Sequence, residues 1–199
     1  MDIFDFAQCG RFAQPLRDAC AKFGVGNLPY FLAQLSIESR GFTKTRESMA
    51  YRAETLLAVC NGRNGITNLS AAQGVVMSGP AAVAEALYGG SWGVNRLGNT
   101  QPGDGYKFIG RGLIQTTGRW NYGNVSKHVY GDDRLLTTPE LLELADGAAQ
   151  SAAFFWMSKP ELSTSTDVVR ITKLVNGGDE GLQDRIRLTN IMLGYTPEQ

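Results

Sequence analysis

Apolar residues recur at intervals of three and four along almost the whole chain, the spacing of helices that bury one face. Phe12, Leu16, Ala19, Cys20 and Phe23 form one such stripe, and Gly24 and Gly26 end it. Asn27 then stands at a cap position with Pro29 in the first turn, and Phe31, Leu32 and Leu35 supply the next buried face. Pro80 opens an alanine-rich helix through Val83, Ala84, Leu87 and Tyr88, stopped at Gly89-Gly90. Thr138-Pro139-Glu140 reads as the start of a helix carrying Leu141, Ala145, Ala148, Ala152 and Phe155. Further helices are expected over Ala53–Val59, over Thr166–Val175 before Gly177-Gly178, and over Leu182–Leu193 before Gly194.

Strand signals are scarce. Tyr106–Gln115, short and punctuated by glycine after the turn-rich Asn99–Gly105, is the one extended candidate. No internal repeat, low-complexity tract or linker divides the chain. The expectation is a mostly α fold, a single domain over residues 1–199 with a small extended element near its centre. It allows two lobes around a cleft and has no separate binding module.

A hydrophobic share of 43% and a charged share of 19% fit a packed globular protein and exclude a disordered one. The formal net charge is zero, which removes any global pull toward nucleic acid or an anionic membrane. Charge is uneven locally. Arg96, Lys107, Arg111, Arg119 and Lys127 face one acid, Asp104, whereas Asp132 to Glu161 holds six acids against Arg134 and Lys159. Scattered solvated charges explain this as well as a basic middle meeting an acidic polymer does. Cys9, Cys20 and Cys60 cannot all pair and show no CxxC spacing, and His128 is alone, so no Cys/His metal site is expected and a reducing compartment is. The N-terminal MDIFDFAQCGRF has acids where a signal peptide is basic and lacks an apolar core. With no apolar run of about eighteen residues, no membrane insertion is expected either.

Glu38 closes the apolar helix at Leu35-Ser36-Ile37-Glu38-Ser39-Arg40-Gly41. A carboxylate at the negative end of a helix, in apolar surroundings, is held toward its protonated form, as a general acid requires. A surface glutamate paired with Arg40 is the plainer alternative. Glu47 lies nine residues on, a tether of up to roughly 30 Å, which permits but does not demand a two-carboxylate site. Glu54 competes with Glu47, although a solvated helix face accounts for it. Gly110-Arg111-Gly112-Leu113-Ile114-Gln115-Thr116-Thr117 runs into Arg119-Trp120-Asn121-Tyr122, mixing hydrogen-bonding groups with an aromatic plane in the way a glycan groove does. Polar residues there also suit a helix cap, and the glycines are not spaced for nucleotide phosphates. Asn176 before Gly177-Gly178 suits a helix terminator, and Arg185 and Arg187 have an equal claim to being surface charges.

Taken together, these clusters resemble glycoside hydrolase family 19, which unites chitinases and phage endolysins. Phe31-Leu32-Ala33-Gln34-Leu35-Ser36-Ile37-Glu38-Ser39 is similar to the family's F-x-A-Q-x-x-H-E-[ST]. Glu47 and Tyr51 follow, then Tyr106 to Asn121 against Y-x-G-R-G-x-[IL]-Q-[LIT]-[ST], then Val175-Asn176-Gly177-Gly178 and Asp184-Arg185-Ile186. Four motifs in order, over roughly 28–194, make the likeness specific. It implies a lysozyme-like helical domain with a substrate cleft between two lobes, Glu38 as general acid and Glu47 as the base that activates water. It also implies a substrate-binding set of Tyr51, Arg111, Gln115, Thr117, Trp120, Asn121, Asn176 and Arg185, with no metal or other cofactor. Ile37 departs from the family's histidine, and Phe108-Ile109 from a more polar pair. The short interval between the glutamates resembles the endolysin branch, so a monomeric enzyme is expected to hydrolyse the β-1,4 bonds of peptidoglycan strands. It would be made in the cytoplasm and act on the cell wall after release through a separate pore-forming protein. A chitinase, or a silent glycan-binding protein on the same fold, are the alternatives.

Overall fold

The computed structural model describes residues 2–195, so the ends of the expected 1–199 domain lie outside it. The described chain is helical nearly from end to end. It gathers into two compact units, one made of the residues up to 45, 112–114 and those from 141 onward, the other of 46–111 and 115–140. Neither is continuous in sequence, so the chain is not two modules in tandem.

In the first unit, the helix Ala13–Phe23 packs on Ala145–Met157. The second of these buries Gly147, Ala148, Ala149, Ser151, Ala152 and Ala153, small residues that let Leu16, Ala19 and Cys20 approach closely. Gly112-Leu113-Ile114 crosses the same alanine face. A Cβ on Gly112, whose φ is +78°, would stand 3.0 Å from the Ser151 Oγ. Leu28–Glu38 packs on Leu182–Leu193 and buries Phe31, Leu32, Ala33, Gln34 and Leu35. Asn27 begins it as expected, but not as a side-chain cap. Its Oδ1 accepts the Trp156 indole N–H at 2.9 Å and its Nδ2 donates to the Leu162 and Ser165 carbonyls. Trp156 is buried edge-on to Phe31, and a buried indole N–H needs an acceptor more than a partly exposed helix end does.

The second unit stacks Ala53–Cys60, Leu69–Met77 and Pro80–Tyr88 around Leu56, Cys60, Ala72, Val83, Ala84, Leu87 and Ile109. Arg119–Tyr130 buries Tyr122, Val125, Ser126 and Val129 at helical spacing. Tyr122 stacks near Phe108, with ring centroids 5.1 Å apart, and its hydroxyl donates to the Ile109 carbonyl at 2.7 Å.

Several expected elements shift. The extended element contracts to two isolated bridges, Arg46 with Arg111 and Arg111 with Thr116. Its first residues, Tyr106-Lys107, lie instead in the helical turn Asp104–Lys107. Asp104 fixes that turn: its buried carboxylate accepts the Gln101 N–H and a bidentate pair from Arg119 at 2.6 and 2.7 Å. Burial pushes the Asp104 carboxyl up, but these donors outweigh it and hold it below the usual carboxylate range. Thr138-Pro139-Glu140 opens a 3-10 turn, Pro139–Glu143, because extended backbone at Leu144 (ψ 152°) delays the α-helix to Ala145. Val168–Asn176 starts where Asp167 caps the Val169 and Arg170 N–H groups. Among the described residues no helix is long and apolar enough to cross a membrane.

Removing the Asn27 side chain strands the Trp156 N–H, so Asn27→Ala is expected to cost about 2 kcal/mol, read from urea unfolding. The three cysteines are buried with free thiols, and burial pushes Cys9 and Cys20 from 9.0 up to about 12. Ellman's reagent should therefore find no fast thiol in the folded protein and three in denaturant. Because the folded thiols keep their protons while unfolded ones ionise near 9.0, the stability they contribute is complete below that pH. It is lost as the pH climbs toward 12, and the unfolding midpoint should fall over that range.

Candidate active site

Glu38 is the last residue of Leu28–Glu38. The chain turns away from it through three successive left-handed residues, Arg40, Gly41 and Phe42, at φ +52°, +68° and +58°. Ser39 holds this turn, its buried hydroxyl donating to the Leu35 carbonyl at 2.6 Å and accepting the Phe42 N–H at 2.9 Å. Left-handed backbone at a buried phenylalanine is strained, and it survives because Phe42 packs in the first unit's core.

The partner of Glu38 is neither apolar surroundings nor Arg40. Arg185, from Leu182–Leu193, donates from Nη2 to the Glu38 Oε1 at 2.6 Å. The same guanidinium donates from Nη1 to the Gln34 Oε1 and from Nε to the Glu180 carbonyl. The Gln34 Nε2 reaches the Thr172 Oγ1 at 3.4 Å, and Thr172 donates to the Val168 carbonyl. Gln34, Thr172 and Arg185 are all buried, whereas a fifth of the Glu38 side chain meets solvent. Arg185 is thus no surface charge, while Arg187 is one, exposed beside Asp184.

Glu47 belongs to the second unit. Its Oε1 accepts the Tyr88 hydroxyl at 2.6 Å and its Oε2 accepts the Gly110 N–H at 3.1 Å. Its own N–H donates to the Gly110 carbonyl at 2.8 Å, so backbone pairing sets where the side chain leaves the chain. A Cβ on Gly110 would press within 3.2 Å of the carboxylate and 3.1 Å of the Gln115 Oε1. Burial pushes the Tyr88 phenol well up, and the charge of Glu47 and the bond to it push the same way. Burial followed by the charge of Glu47 also raises Tyr51. An open groove of about 320 Å³ runs past Glu47, lined by Arg46, Ser48, Met49, Pro80, Tyr106 and Ile109. Glu54 sits exposed in the first turn of Ala53–Cys60.

The remaining residues divide by exposure. Trp120 is 60% exposed with its ring laid against Gly98, where a Cβ would come within 2.3 Å of the indole. Asn121 is exposed and donates to the Thr117 carbonyl, and the Thr117 hydroxyl donates to that of Gln115. Gln115 and Thr117 are half-buried, Gln115 at φ +55°. Arg111 is buried, donating to the Lys107 carbonyl and the Tyr122 oxygen and pairing with Glu140 at 3.5 Å. Asn176 ends its helix, exposed, accepting the Gly178 N–H and donating to the Glu180 carbonyl. Two contributors carry no role in the sequence reading. Gln34 had a legible signal, a polar residue one turn before Glu38 on a face otherwise apolar. Tyr88 had none, since nothing in its spacing ties it to Glu47. Among the described residues no cluster of His, Cys, Asp and Glu is suited to hold a metal ion.

No family model matches the sequence. A curated relative does: a glycosyl hydrolase family 19 domain-containing protein of Haemophilus influenzae is 30% identical over 165 residues, covering 82% of this chain and 76% of the relative. The chain belongs to glycoside hydrolase family 19. Its fold agrees. Chitinase C from Streptomyces griseus HUT6037 and a chitinase C mutant each superpose with a TM-score of 0.57 at 18% identity, over 96% of this chain and 89% of theirs. Membership makes the chain a glycosidase-type protein with a chitinase-like fold.

Arg185→Met would leave the Glu38 carboxylate, the Gln34 oxygen and the Glu180 carbonyl without their shared donor. A loss on the order of 3 kcal/mol is expected in denaturant unfolding. Arg187→Met should change stability by less than about 0.5 kcal/mol.

Proposed function

We propose that this family 19 protein cuts the β-1,4 bonds of bacterial peptidoglycan as an endolysin does, by a single inverting displacement with Glu38 as acid and Glu47 as base. The observation that supports the roles is the different company of the two carboxylates. Both Glu47 oxygens accept protein donors, the Tyr88 hydroxyl and the Gly110 N–H, which together fix the orientation of the carboxylate. Glu38 gives Oε1 to Arg185, so Oε2 is the oxygen from which a proton would pass to the leaving group. Water activated by Glu47 would then attack the anomeric carbon from the opposite face. Trp120, with one face on Gly98 and most of its surface open, offers a plane for a sugar ring, beside Asn121 and Thr117.

Charge favours peptidoglycan as the polymer. Arg40, Lys44, Arg46 and Arg52 flank the two glutamates in sequence, with Glu47 the single acid among them. Arg40, Arg46 and Arg52 are exposed. A neutral chitin chain makes no use of such cations, whereas the free carboxylates of peptidoglycan's stem peptides do. The structural likeness to chitinase C supports chitin as the second reading.

Digests of purified peptidoglycan and of chitin hexamer, read by mass spectrometry, separate the two. Soluble muropeptides are expected, and cleavage of chitin alone would replace the first reading with the second. Glu38→Gln should stay folded and lose turnover, since an amide still accepts from Arg185 but donates no such proton. Glu47→Gln should be severely impaired and partly rescued by azide. Proton NMR of fresh products should show the α-anomer first; an initial β-anomer would overturn inversion.

A further inference from the structure

We propose that Tyr88 is a positioning residue of the hydrolytic step: its phenol fixes the Glu47 carboxylate in the one orientation that receives the proton of water. The inference rests on the reading of Glu47 as the base and adds a residue that reading does not contain.

Tyr88 is built to stay still. It ends Pro80–Tyr88, whose Val83, Ala84, Ala86 and Leu87 are locked in the second unit's core. Its carbonyl accepts the buried Asn99 Nδ2 at 2.9 Å. Gly93 closes on the same carbonyl so tightly that a Cβ would stand 1.9 Å from it. The backbone just before and after it is tied by the Asn64 Nδ2, which donates to the carbonyls of Ala86 at 2.9 Å and Gly89 at 3.1 Å. A phenol on so fixed a base aims its O–H at one place, and the Glu47 Oε1 occupies that place at 2.6 Å. Gly110 takes Oε2 from the other side, so the carboxylate is clamped through both oxygens. Each ionised oxygen accepts more than one hydrogen bond, which leaves a lone pair for water.

Other charged and titratable groups surround the pair. Tyr51 and Arg63 act on Tyr88 through space, and Cys60 on Tyr51. Arg46 and Tyr106 line the groove beside Glu47, and the Glu85 carboxylate, one turn before Tyr88, accepts the Tyr106 N–H. Removing the Tyr88 hydroxyl takes away the side-chain donor that meets the Glu47 Oε1 at 2.6 Å.

The test is Tyr88→Phe in the full chain, with kcat and KM followed against pH on solubilised peptidoglycan and on chitin hexamer. A carboxylate that loses a donor holds its proton more tightly, so the acid limb of kcat should move to higher pH. At the pH optimum kcat should fall about tenfold with KM nearly unchanged. A merely structural tyrosine would lower the amount of folded enzyme and leave the limb where it is. Should Tyr88→Phe fail to fold, uniform 3-fluorotyrosine keeps every ring and makes each phenol a stronger donor. The acid limb should then move to lower pH. An unmoved limb in either experiment overturns the proposal. Full activity of Glu47→Gln would be a different failure, that of the base itself.

Discussion

A guanidinium buried between two helices must find an acceptor for each of its three nitrogens, and in the first unit that demand falls on Arg185. Its three acceptors sit on different pieces of chain: Gln34 and Glu38 one turn apart on Leu28–Glu38, and the Glu180 carbonyl before Leu182–Leu193. Satisfying one charge therefore fixes the rotation of one helix against the other. Glu38 and Gln34 share a face only because they are four residues apart. The apolar residues around them, Phe31, Leu32 and Leu35, leave Arg185 no alternative acceptor on that face. Packing and polar satisfaction thus reinforce each other, and the carboxylate emerges at the helix end with one oxygen held.

Glu47 is held by a different physical device. A phenol and a backbone N–H converge on its carboxylate oxygens, delivered by a helix end and a glycine. The difference matters for chemistry. A guanidinium is a full charge confined to one side of Glu38, whereas neutral donors orient Glu47 without neutralising it.

Much of this was legible in the sequence, and the illegible part has a common cause. Leu182–Leu193 and Pro80–Tyr88 were readable because apolar spacing and their glycine or proline boundaries agree. Arg119–Tyr130 was not among the expected helices, although Tyr122, Val125, Ser126 and Val129 stand at helical spacing behind a polar first turn. Asn27 and Arg185 look like a cap and a surface charge respectively. Each instead satisfies a buried polar group far along the chain, Asn27 for Trp156 and Arg185 for Gln34. Periodicity reports which face is buried and says nothing about which distant donor meets which acceptor. The four motifs of the family escaped this limit, because their order along the chain carries tertiary information that no single window holds.

The strained turn after Glu38 shows the same logic in the backbone. Arg40, Gly41 and Phe42 would not choose three consecutive left-handed conformations unaided, and only the glycine is neutral to that choice. Ser39 contributes a hydroxyl that replaces the helical bond the turn gives up, accepting the Phe42 N–H while donating back into the last helical turn. Phe42 then repays the strain by burying its ring. The consequence is an abrupt stop, with the helix ending at Glu38 and the next side chain, Ser39, turned inward. A gradual exit would carry Glu38 into the middle of a helix, where neighbouring turns cover a side chain on both sides. The strain is therefore located where it exposes the carboxylate, and Ser39, which sits within a family motif, acts through hydrogen bonds to the backbone.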